Sequence, residues 1–158
     1  MNAVVRPNSL LAGRNNAPLS EKEIKRASNT FIGFDQKVNV RYEAGSSTRF
    51  RVCEDETGEE YGEIIFSEDI YPGNNVANPN SALSVPGAAA HELAHFYRWQ
   101  GKTELSHGHL THIDEAMTSL EGALRYSQGL SATDLQGLIS DALQRLRYFV
   151  AEQALKNA

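Results

Sequence analysis

The pattern that could do chemistry in this chain is His91-Glu92-Leu93-Ala94-His95. Residues four apart on a helix stand on one face, one turn above the other, so both imidazoles can reach a common point. Neutral imidazole is a metal ligand, and a divalent cation is the natural occupant of such a point. Glu92 falls one step round the helix, close enough to take a proton from a water at the metal without itself being a ligand. At about 100° per residue, His91, His95 and Arg98 share one side of the helix, and Ala90, Leu93, Phe96 and Tyr97 share the other. The helix therefore has a core face of its own and does not need the histidines to fill it.

A catalytic zinc takes three protein ligands and keeps one position open. All five histidines fall between His91 and His112, and the residues after the motif offer His107, His112, Asp114 and Glu115 as the third ligand. Thr111 and Asp114 have the spacing of a helix start. On that helix Ile113, Met117, Leu120 and Leu124 form the apolar face, and Asp114, Glu121 and Arg125 form a charged stripe expected to face solvent. Glu115 lies off that stripe. Thr118, Ser119 and Gly122 follow it, and small residues let a second helix come close. Glu115 is the carboxylate best placed to meet the histidines across a helix–helix contact, with His107 and then His112 as alternatives.

The run His91-Glu92-x-x-His95, nineteen residues, then Glu115 resembles the thermolysin-like gluzincins of the zincin superfamily, over residues 85–129. The resemblance implies one zinc ion held by His91, His95 and Glu115, with Glu92 as general base in peptide hydrolysis. Where those enzymes carry an aspartate that orients a ligand histidine, Ser119 stands here. His107-Gly108 after the motif also resembles SprT-type metalloproteases, in which the histidine is the third ligand. A looser similarity is to small peptidases that cleave bacterial repressors. In the gluzincin reading an oxyanion needs a donor. His112, at the start of the Glu115 helix, ranks first, ahead of His107, His109, Tyr126 and Arg98.

These residues need a scaffold. At 158 residues, 41% hydrophobic and 22% charged, the chain suits one globular domain. Residues 1–18 lack periodicity and read as a flexible arm, leaving 19–158 as a single domain. Ser20 and Glu23 make a capping box for a helix over 21–32. Alternating segments 37–42, 49–54 and 59–66 read as strands, and their short links favour an antiparallel meander. Residues 71–86 form a long loop, which could gate or line a cleft. Ser84, Pro86 and Gly101 bracket the metal helix. Ser131 and Asp134 start a last helix whose Leu135, Leu138, Ile139, Ala142, Leu146, Phe149 and Val150 make one apolar stripe. The expected fold is a small α+β zincin-like domain, with a short, antiparallel-rich sheet packed on the active-site helix and two C-terminal helices.

Composition narrows the functions. A net charge of −5 argues against nonspecific nucleic-acid binding. The single cysteine, Cys53, excludes a disulfide framework or a cysteine-rich zinc site. No apolar run is long enough to span a membrane, and the N-terminus does not read as a signal peptide, so a cytoplasmic protein is expected. The leading expectation is a zinc metallopeptidase acting on an intracellular protein or peptide. The alternatives are a hydrolase of a non-peptide amide, and a binding or regulatory protein that keeps the scaffold without catalysis.

Overall fold

A computed structural model describes residues 13–105 and 110–157. Among these residues the elements run α1 (Glu21–Phe34), β1 (Asn39–Tyr42), β2 (Arg49–Glu54), β3 (Glu60–Phe66), a single 3-10 turn (Glu68–Ile70), α2 (Pro79–Ala82), α3 (Val85–Gln100), α4 (Thr111–Arg125) and α5 (Ala132–Lys156). The fold is α+β, with one three-stranded sheet and five helices.

Local chemistry sets most of the boundaries. Ser20 and Glu23 close a capping box on α1, and Ser131 and Asp134 close one on α5. Ser84 accepts the Gly87 N–H at the start of α3, Pro86 sits in its first turn, and Gly101 ends it. The start of α4 differs from expectation. Leu110 occupies the cap position without a side-chain hydrogen bond. The Asp114 carboxylate instead takes the buried Arg98 guanidinium and the Leu105 N–H. That contact ties the start of α4 to the end of α3.

The sheet is mixed, not a meander. Its order is β1-β3-β2, with β1 parallel to β3 and β2 antiparallel to it. A short link does not force β1 and β2 to pair, because residues 43–48 pass over the end of β3. Glu43 N–H bonds Phe66 O, Ser46 N–H bonds Ser67 Oγ, and Thr48 N–H bonds Asp69 Oδ1. Those bonds absorb the backbone polarity of the crossing. As the central strand, β3 buries Ile64, Ile65 and Phe66 completely. Phe31 of α1, Leu93 of α3 and Leu138 of α5 complete the core around Ile64 and Phe66.

The packing of α4 on α3 depends on Gly122. A Cβ there would lie 2.8 Å from the Ala90 carbonyl oxygen, and that neighbour is backbone and cannot step aside. Gly122→Val should therefore cost about 1–3 kcal/mol in chemical denaturation. Gly33→Ala, where a Cβ meets nothing within 4 Å, is the control and should be neutral or slightly stabilising.

Two helix faces are turned from their expected orientation. On α4, Met117, Leu120 and Leu124 are exposed, while Ala116, Ser119, Gly122 and Ala123 are buried. On α5, Leu138 and Ala142 are buried, but Ile139, Leu146 and Val150 are exposed and Asp141 and Arg145 take the interior.

The segment before α1 is partly structural. Residues 1–12 of the expected arm lie outside the described residues, but 13–15 are strapped to the body. Arg14 is 8% exposed, and its guanidinium donates to the carbonyls of Asp69, Ile70, Asn80 and Leu83 at 2.6–2.8 Å. Gly13 O accepts from Ser81 Oγ at 2.7 Å. The stretch expected as a long loop, 71–86, is thus pinned against α5, with Asn80 and Ser81 buried and α2 formed within it.

Candidate metal centre

α3 presents His91 and His95 one turn apart, their rings edge to face with centroids 4.7 Å apart. Ala89, Ala90 and Leu93, all fully buried, anchor the helix in the core. The close approach at Gly122 brings the first turns of α4 over the imidazoles. Glu115 Oε2 lies 2.9 Å from His91 Nε2 and 3.0 Å from His95 Nε2. One donor atom from each of the three residues lies within 4.8 Å of the others. His91 is nearly enclosed, whereas His95 and Glu115 retain 14% and 22% of their side-chain exposure, so the cluster opens to solvent on their side.

Ser119, at the position where gluzincins carry the orienting aspartate, has its Oγ 2.7 Å from His91 Nδ1 and 2.6 Å from Asp141 Oδ2; Asp141 and Arg145 are the residues the sequence reading missed. Arg145 Nε donates to the same Asp141 oxygen at 2.8 Å, and its Nη1 lies 3.5 Å from Glu115 Oε2. A signal for the pair was present. Asp141 and Arg145 are spaced i, i+4, on the same helical ladder as Leu138 and Ala142.

Electrostatics follow from crowding. Burial opposes charge on His95, but the Glu115 carboxylate beside it outweighs burial, with Glu92 adding to the effect, and holds its pKa at about 9. Burial would raise Glu115. His95, the hydrogen bonds from His91 and His95, and Arg145 instead hold it well below the usual carboxylate range. Burial likewise opposes ionisation of Asp141, and Arg145, His91 and Ser119 reverse that effect.

The donor set fits a divalent cation. Two imidazole nitrogens and one carboxylate oxygen make a three-ligand set with room for a fourth position. A tetrahedron with bonds of about 2.0–2.1 Å has edges of about 3.3 Å. The observed 2.9 and 3.0 Å contacts lie a few tenths of an ångström inside that.

The other candidates stand elsewhere. His112 Nε2 lies 2.9 Å from Glu152 Oε1 and its ring packs against Tyr148, so the side chain belongs to the α4–α5 contact and not to the metal cluster. Asp114 and Arg98 pair with each other. Asp114 was expected to face solvent. The Tyr126 hydroxyl is buried, with Asp35, Tyr97, Arg125 and Glu121 as its charged and titratable neighbours. His107 and His109 lie outside the described residues. Glu92 makes no hydrogen bond or ion pair among the described residues, and Arg145 and Arg14 both feel its charge.

No known protein family, curated protein or solved structure matches this chain.

Proposed function

We propose that this protein is a zinc-dependent metallopeptidase, holding one Zn2+ through His91, His95 and Glu115 and cleaving peptide bonds of a protein or peptide substrate with Glu92 as general base. The observation that carries this reading is the single Glu115 oxygen lying against two imidazole nitrogens. Three lone-pair atoms so close repel one another unless positive charge sits among them. In a metal-free state that charge is a proton on His95. Proton and metal compete for the same lone pairs, and a cation with two charges compensates the carboxylate better than one proton does.

A bound Zn2+ would supply Lewis acidity and lower the pKa of a water at the open position. The chain's own residues do the rest. Glu92, which makes no hydrogen bond or ion pair among the described residues, would accept that water's proton and return it to the leaving amine. Arg145 contacts Glu115 and adds to the effect of His95 in holding the ligand carboxylate ionised. The spacing from His91 to Glu115, resembling that of gluzincins, supports the peptide bond as the target. No described helix is long and apolar enough to cross a membrane.

The test is metal content of purified protein by mass spectrometry. Wild type and His112→Ala should carry one Zn2+ per chain, and Glu115→Ala should carry far less. Equal content in Glu115→Ala and wild type would overturn the ligand set. A peptide-library digest with the loaded protein then asks for cleavage, and its absence at high enzyme concentration would overturn the peptidase reading.

A further inference from the structure

We propose that Ser119 and Asp141 are positioning residues for His91, acting as a relay that fixes which ring nitrogen carries the proton and hence which one offers a lone pair to the metal. The inference rests on the metal-centre reading above. It follows from counting hydrogens. An ionised carboxylate only accepts. Asp141 Oδ2 receives Arg145 Nε–H at 2.8 Å and faces Ser119 Oγ at 2.6 Å, so the serine hydrogen must point to Asp141. A serine hydroxyl has one hydrogen. With it committed to Asp141, Ser119 Oγ can only accept from His91 Nδ1, which is 2.7 Å away.

His91 therefore keeps a proton on Nδ1, and Nε2, which faces Glu115 Oε2 at 2.9 Å, is the nitrogen that would offer its lone pair to a bound cation. The reverse arrangement, with Ser119 donating to the ring, would set two lone-pair oxygens 2.6 Å apart. It would require Asp141 to be protonated, against the adjacent Arg145. Asp141 is also held at its other oxygen, where Asn80 Nδ2 lies 3.4 Å from Oδ1. The orienting carboxylate thus sits on α5, one hydroxyl removed from the ring. α5 is tied to the centre although it supplies no ligand, and the pinned stretch around α2 is tied to it through Asn80. Partners at this remove govern metal affinity because they set the ring's orientation and basicity.

The experiment is Zn2+ competition against a chromophoric chelator, paired with the imidazole proton spectrum of the Zn2+-loaded protein, on wild type, Ser119→Ala and Asp141→Asn. Ser119→Ala should weaken Zn2+ binding by about 10- to 100-fold, with a melting temperature near wild type in the metal-free state. The wild-type His91 Nδ1 proton should be shifted downfield by its hydrogen bond. That shift should collapse in Ser119→Ala and shrink in Asp141→Asn, which removes charge but not volume. A purely structural polar cluster would change stability and leave the Nδ1 shift of Asp141→Asn where it was. Wild-type affinity in Ser119→Ala, or an unmoved Nδ1 signal in Asp141→Asn, would overturn the relay alone. Failure of the wild type itself to bind Zn2+ would overturn the metal reading and the relay with it.

Discussion

Glu92→Gln should leave Zn2+ content at the wild-type level and lower peptide hydrolysis by roughly 10²–10⁴-fold, the usual contribution of a positioned general base. The substitution keeps size and polarity but removes the ability to take a proton. Glu92 is outside the three-residue donor cluster, so the change should not disturb the ligands. It makes no hydrogen bond among the described residues, so no fold contact is lost with it. Metal content and turnover should therefore separate cleanly here. They should fall together in His91→Ala, which deletes a ligand. Undiminished hydrolysis in Glu92→Gln would mean that another group moves the proton. Loss of Zn2+ in that variant would make Glu92 a ligand. If turnover is absent in both forms while a biological effect persists unchanged, the scaffold acts by binding.

The elements that carry the site could be read from the sequence because they obey local rules. Ser20, Ser84 and Ser131 cap helices through contacts within three residues, and the i, i+4 spacing of His91 and His95 is a property of one helix. The meeting of Glu115 with those histidines was also legible, through the small residues that follow it. Gly122 packs on Ala90, and Ser119 fits under His91. What was not legible is which longer side chains yield when helices pack this closely. Met117, Leu120 and Leu124 make the more hydrophobic face of α4. Yet α4 buries Ala116, Ser119 and Gly122, because backbone approach to α3 requires small residues at the contact. On α5 a hydrophobic stripe competes with the Asp141–Arg145 pair for the interior. The pair wins because Ser119, His91 and Glu115 are already there to satisfy it. Sheet order fell outside local rules for a related reason. The bonds from residues 43–48 to Ser67 and Asp69 join parts of the chain about twenty residues apart.

Arg14→Met should destabilise the domain by about 3–5 kcal/mol, as breaking a buried charged network does. For a chain of this size that lowers the melting temperature by on the order of 10 °C. Met preserves most of the aliphatic stem, so the loss reports the guanidinium. Burial and the backbone set the size of the effect. Burial pulls Arg14 down to about 10 in spite of Asp69, Asp141 and Glu92, which still leaves it charged at neutral pH. Its fork satisfies carbonyls on two separate stretches, Asp69 and Ile70 on one side and Asn80 and Leu83 on the other. No water replaces those donors without opening the stretch between them. Arg14→Lys should recover little of the loss, since one ammonium cannot span both stretches as a planar fork does. Asn80 also reaches Asp141, so Arg14→Met should weaken Zn2+ binding in addition to lowering stability. A variant that melts with the wild type would show that residues 13–15 merely lie on the surface. A variant that melts early yet binds Zn2+ normally would confine the strap to folding and detach it from the metal centre.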